Sequence, residues 1–152
     1  MNTQHIRSKA DRAYQCPVCG NALPHIAPLP PFDAPCSECG SYLWCRRVVG
    51  RGTTVLEIVP GRSPEPFEVD RVVKSLLSRE EDTSVILDLS PLELVNSSFM
   101  ARLIMMNRRI RAGGGKLLLR GLQPVVRDIF DRAHLDRALD VIDDEVPSPE
   151  ED

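Results

Sequence analysis

Five cysteines are the side chains in this sequence best equipped for chemistry, and all of them lie before residue 46. "CPVCG" carries Cys16 and Cys19, "CSECG" carries Cys36 and Cys39, and sixteen residues separate the two pairs. Each short turn presents two thiolates from one side, and two such turns can close a tetrahedron around one ion. Gly20 and Gly40 follow the pairs, where positive φ lets backbone amides approach the sulfurs. In a reducing compartment two disulfides are the poorer use of such pairs. Structural zinc on Cys16, Cys19, Cys36 and Cys39 is therefore expected, with iron the other metal that four thiolates accept. Four protein ligands leave no open coordination position, so catalysis at the ion is not expected.

The segment is similar to a zinc ribbon. "CPVCG" also resembles the iron-binding knuckle of rubredoxins, but that likeness covers a single knuckle, and zinc is preferred. "PCSEC" resembles one half of the zinc deaminase signature. The other half, H-x-E, is missing, because His25 is followed by Ile26 and Ala27. Between the knuckles lies "NALPHIAPLPPFDAP", with five prolines, which cannot form a regular helix. It reads as a stiff extended spacer over residues 24–35, with a proline-rich ligand for another domain as the alternative. Cys45 stands outside the tetrad and reads as a small buried apolar residue.

A second stretch of chemical interest is "LVNSSFMARL", residues 94–103, where Asn96, Ser97 and Ser98 interrupt an apolar run. Asn and Ser are preferred helix caps. A serine at a helix start also sits among amides that lack intrahelical partners, at the positive end of the macrodipole. A phosphate added there can be held by those amides. It would also place roughly 1.5–2 negative charges on a neutral docking surface. Capping and phosphate acceptance are both open at this position.

The elements that must position these residues follow from periodicity. "LWCRRVV" and "TTVLEIV", separated by "GRG", read as a β-hairpin. "PFEVDRVVKSLLS" predicts a helix with Pro66 in its first turn and Val69, Val72, Val73 and Leu76 on one face. "SVILDLS" is a nearly continuous apolar run, as in a strand buried on both faces. Phe99, Leu103, Met106 and Ile110, with Met100 and Ile104 beside them, predict an amphipathic helix whose other face carries Arg102, Arg108, Arg109 and Arg111. Gly113 to Gly115 supply its stop and "KLLLRG" resumes a strand. "LQPVVRDIFDRAHL" predicts a third helix, with Pro124 near its start and Val126, Ile129 and Ala133 inward. "ALDVID" closes with a short helical segment and an edge strand. Alternating strands and helices predict an α/β fold, a mainly parallel sheet with helical cover.

Charge divides the chain unevenly. Residues 1–53 carry six basic and three acidic side chains, residues 54–142 thirteen of each, and the tail "DDEVPSPEED" six acids and no base. That tail is expected to be disordered. A net charge of −3 makes non-specific nucleic-acid binding a poor expectation. No apolar run approaches the ~20 residues that span a bilayer, and "MNTQHIRSKADR" has no signal-peptide core, so a cytoplasmic location without membrane contact is expected. The three histidines, His5, His25 and His134, are scattered, and no serine has an identifiable base, so no enzyme is expected. The organisation reads as a flexible N-terminus (1–12), a zinc-ribbon-like module (13–45), an α/β domain (46–145) and an acidic tail (146–152).

Over roughly residues 44–145 the order of elements resembles a STAS domain, the family of anti-sigma-factor antagonists. The residues that carry the resemblance are "VILDLS", the polar segment opening a helix, a G-G strand, and a P-x-V-x-x-x-F helix matched by Pro124, Val126 and Phe130. The resemblance implies a STAS-like fold and a non-enzymatic signalling role in transcription regulation. It implies binding to a protein partner, an anti-sigma factor or related serine kinase, through Asn96, Ser98 and Arg102. It also implies phosphorylation of Ser97, the counterpart of the family's acceptor serine. The sequence departs from the family at Asn96 (usually aspartate), Phe99 (usually glycine) and His134 (often glycine). A constitutive docking protein without phosphorylation is the alternative, as is a nucleic-acid-binding regulator that uses the ribbon.

Overall fold

The computed structural model describes residues 12–23, 35–50, 52–78 and 83–142. The spacer reading for 24–35, apart from Pro35, and the readings of the tail and extreme N-terminus fall outside these residues. In chain order the elements are β1 (Tyr14–Gln15), β2 (Cys45–Val48), β3 (Thr54–Ile58), α1 (Pro66–Leu77), β4 (Ser84–Asp88), α2 (Ser97–Ala112), β5 (Lys116–Arg120), α3 (Pro124–Arg132), a 3₁₀ turn (Leu135–Arg137) and β6 (Asp140–Val141). They build one six-stranded sheet in sequence order. β1–β2 and β2–β3 are antiparallel, while β3–β4, β4–β5 and β5–β6 are parallel. The expected parallel sheet thus occupies the C-terminal side, and the hairpin gives it an antiparallel margin. β1, from the cysteine-bearing segment, extends the same sheet through Tyr14 opposite Val48.

Strand alternation sends Leu56, Ile58, Val85, Leu87, Leu117 and Leu119 to one face, where the inward stripes of all three helices bury them. α1 contributes Val69, Val72, Val73 and Leu76, and α2 contributes Phe99, Leu103, Met106 and Ile110, the sets expected from their spacing. On the opposite face Tyr14, Val48, Val55 and Ile86 form a second cluster, to which no described helix contributes. β4 is therefore buried on both sides, as its unbroken apolar run requires.

Local signals fix the helix ends. Pro66 opens α1, whose N-cap amide on Glu65 donates to Glu68 Oε1 at 2.8 Å. At the far end of α2, Gly114 takes φ +88. The two glycines beside it serve packing: a Cβ on Gly113 would lie 2.4 Å from Leu77 Cδ1, and one on Gly115 2.7 Å from the Thr83 carbonyl oxygen. The third helix corrects one expectation. Its buried pair is Val126 and Phe130, Ile129 is half-buried, and Ala133 is an exposed C-cap. The helix ends at Arg132 and His134 turns into the left-handed region at φ +58, so Ala133 never completes the inward stripe.

Candidate functional site

The two cysteine turns fold alike. In each, the amide of the residue after the second cysteine closes back on the first cysteine's carbonyl, Gly20 to Cys16 and Gly40 to Cys36, at 2.9 Å. The amides of Val18 and Glu38 point at the Sγ of Cys16 and Cys36 at 3.4 Å, and that of Asn21 at Cys19 Sγ at 3.4 Å. Gly20 and Gly40 take φ +82 and +77, which makes these close amide–sulfur approaches accessible. The turns face each other with Cys16 Sγ 3.8 Å from Cys39 Sγ and Cys19 Sγ 3.7 Å from Cys36 Sγ. All four sulfurs lie within 4.8 Å of one another. A regular tetrahedron with metal–sulfur bonds of about 2.3 Å separates its sulfurs by about 3.8 Å, so the donor set fits a tetrathiolate-bound ion. These separations are well beyond the about 2.05 Å of a disulfide, and all five described cysteines are free.

The sulfurs sit in unequal surroundings. Burial pushes the Cys16 thiol up to about 12. Cys39 comes down to about 7: burial acts upward, but hydrogen bonding with the Ser41 side chain and backbone outweighs it. Cys45, outside the tetrad, is completely buried in the helix-side core, and burial pushes its thiol well up. It is a core residue, as its isolation suggested.

α1 lies against both turns. Ser41 Oγ, 3.2 Å from Cys39 Sγ, accepts from Arg71 Nη1 at 3.3 Å, and one helical turn later Ser75 Oγ donates to the Val18 carbonyl at 3.2 Å. Sequence reading missed Ser41, Arg71 and Ser75. The only signal for Ser41 was its place directly after Gly40, matching Asn21 after Gly20.

The polar segment before α2 divides its labour. Asn96 is the N-cap: its Oδ1 accepts the Phe99 amide at 2.8 Å and the Ser63 hydroxyl at 3.2 Å. Ser97 and Ser98 are the first two helical residues, both exposed, and neither hydroxyl has a hydrogen-bond partner among the described residues. Phe99 directs its bulk into the core, away from that surface. Beside the serines, Leu94 is 71% exposed, and Ala101, Ile104, Met105 and Arg108 line a shallow depression along α2.

The arginines expected on the outer face of α2 are mostly engaged. Arg109 pairs with Asp70 of α1 and Arg111 with Asp140 at 2.7 Å. Arg102 Nε donates to the Pro64 carbonyl at 2.8 Å, leaving its two terminal nitrogens without partners among the described residues. The sequence-predicted residues thus gather into two sites, the four sulfurs below one end of α1 and Asn96, Ser97, Ser98 and Arg102 at the start of α2. His134 joins neither.

The fold is an α/β sheet covered by helices on one face, with the polar residues Asn96, Ser97 and Ser98 at the start of its second helix. A family model described as STAS domain matches residues 67–147, just over half of the chain. The chain belongs to the STAS domain family. Among solved structures it is similar to a proposed anti-sigma factor antagonist from Thermotoga maritima, at 19% identity over 60% of this chain and 80% of that one, with a TM-score of 0.47. It is also similar to an anti-sigma-factor antagonist (STAS) domain protein from Planctomyces limnophilus, at 21% identity over 64% and 87% of the two chains, with a TM-score of 0.48. No curated protein sequence matches it. The family match begins in α1, so the cysteine turns lie upstream of it. Among the described residues no helix is long and apolar enough to cross a membrane.

Proposed function

We propose that this chain is a non-enzymatic regulatory protein of the cytoplasm: a STAS module that binds an anti-sigma factor or related serine kinase and is released when Ser97 is phosphorylated. The observation that carries the reading is the exposed, unpartnered Ser97 hydroxyl at the first position of a 16-residue helix capped by its neighbour Asn96. Because Asn96 does the capping, the Ser97 side chain is free for another use. A phosphate on it would meet the unpaired amides of the first helical turn, and Arg102 offers two terminal nitrogens one turn on. In the unmodified protein the same surface presents the Ser97 and Ser98 hydroxyls beside the exposed Leu94 and Ala101, suited to protein contact.

The four cysteines are proposed to hold structural zinc, which staples a segment too small to build its own core. Iron fits the same donors, and metal analysis of the purified chain decides between them. Nucleic acid is not the proposed partner; binding that weakens steeply with salt would revive that reading.

The test is binding of the purified chain to the anti-sigma factors and serine kinases of its source organism. Unmodified protein and Ser97→Ala are expected to bind one of them, and Ser97→Glu to bind it at least tenfold more weakly. Equal binding by all three would replace the switch with a constitutive docking module.

A further inference from the structure

The cysteine centre and the start of α2 are joined by a short run of contacts that neither site needs for its own sake. Tyr42 lies three residues beyond Cys39, and the Pro35–Tyr42 bridge closes the turn that holds Cys36 and Cys39. Its hydroxyl donates to the Arg62 carbonyl at 2.8 Å, while the Arg62 guanidinium lies over its ring at 3.8 Å and pairs with Glu68 through two bonds of 2.8 Å. The two residues after Arg62 both hold α2. The Ser63 hydroxyl donates to Asn96 Oδ1, and the Pro64 carbonyl accepts from Arg102. Asn96 Oδ1 is the atom that caps the helix, so the cysteine turn, the Arg62–Pro64 segment and the Ser97 surface form one contiguous hydrogen-bonded unit.

We propose that metal loading of the four cysteines orders the Arg62–Pro64 segment and through it the first turn of α2, so that the metal state controls the surface that presents Ser97. The proposal rests on the metal and docking readings above and adds a regulatory link between them. The physical basis is that the cysteine turns contain few apolar side chains, so their closed form depends on the ion. Without it the second turn loses the tie that fixes Ser41 and Tyr42 from the N-terminal side. Arg62 then keeps its paired bonds to Glu68 but loses a fixed Tyr42 hydroxyl on its carbonyl, and the Ser63–Asn96 bond loses support. Loss of that one hydrogen bond's worth of support should raise local opening of the α2 cap about fivefold. A link of this kind is established by measured coupling, not by proximity.

The test is amide hydrogen exchange of the full chain, metal-loaded and after chelation, with metal content followed by native mass spectrometry. The Phe99 amide, which donates to Asn96, is expected to exchange about fivefold faster without metal, while amides of β4 and β5 change little. Tyr42→Phe, which keeps the ring in the core, is expected to retain the metal yet give fast Phe99 exchange in both states. A loaded chain whose Phe99 exchange ignores metal removal overturns the coupling alone. Loss of protection spread evenly over the sheet also overturns it, since the metal would then be a global staple. A chain that neither holds nor takes up metal overturns it together with the metal reading, and Ser97 phosphorylation enters none of these outcomes.

Discussion

Arg71 Nη1 donates to Ser41 Oγ across 3.3 Å, and that oxygen lies 3.2 Å from Cys39 Sγ. A helix of the STAS fold thereby lends a positive group to the surroundings of a metal-ligand set. Four thiolates around a divalent ion carry a net charge of −2, and a cation one hydrogen bond away favours that state. Arg71 has no carboxylate partner among the described residues, while Glu68 on the same helix is taken by Arg62.

Removing Arg71 should therefore weaken metal binding without unfolding the protein. Partners of this kind are worth about 10–100-fold in affinity. Arg71→Leu is expected to lie near the lower end, because the guanidinium acts through a hydroxyl and is exposed. Competition with a chromophoric chelator measures it, and unchanged affinity would reduce Arg71 to a surface residue.

Chelation should destabilise the cysteine turns relative to the sheet, because a bound ion favours their folded form over the unfolded one. An ion present at a hundred times its dissociation constant contributes about 2.7 kcal/mol. Cys16→Ser is expected to remove that contribution from the exchange protection of the Gly20 and Gly40 amides even with zinc supplied. Since each thiol must lose a proton to bind, affinity should fall as pH falls.

Asn96→Ala is expected to cost about 1 kcal/mol in urea unfolding, the ordinary worth of an N-cap. Asn96→Asp keeps an acceptor for the Phe99 amide and should cost little. A cost for Asp equal to that for Ala would show that the cap is not what Asn96 contributes.

Glu68 predicts a pH dependence. The Arg62 hydrogen bond is the main influence holding its carboxyl below the ordinary 4.5, with the Glu65 amide adding to it against burial. A depressed folded value contributes stability that is present above the unfolded value and is lost as pH falls through the folded one. The stability gap between wild type and Glu68→Gln should hold near neutrality and close below about pH 4. Denaturant titrations across that range read it directly, and a gap independent of pH would assign Glu68 a packing role only.

The fold was largely legible because its signals are local and redundant. Val69, Val72, Val73 and Leu76 announce a helix face, "VILDL" a doubly buried strand, and the two C-x-x-C turns a shared four-sulfur cluster. What escaped depends on partners distant in sequence. Alternation along β3 would send Glu57 to solvent; instead it is buried, accepting from Tyr14 at 3.0 Å and Arg46 at 2.8 Å and pairing with Arg12 at 3.3 Å. The face to which no described helix contributes is closed there by Arg12 and Tyr14, more than forty positions upstream, together with Arg46. Arg71 and Ser63 look like ordinary surface residues until the fold sets them against Ser41 and Asn96. In α3 the spacing that favoured Ala133 ignored the turn at His134, where the helix has already ended.

The central claim, that Ser97 is a modification switch, is tested most directly by the intact mass of the chain purified from its native source under several growth conditions. The account predicts a phosphoryl adduct on a fraction of the molecules that disappears in Ser97→Ala. Absence of the adduct under every condition, or its persistence in Ser97→Ala, would contradict it.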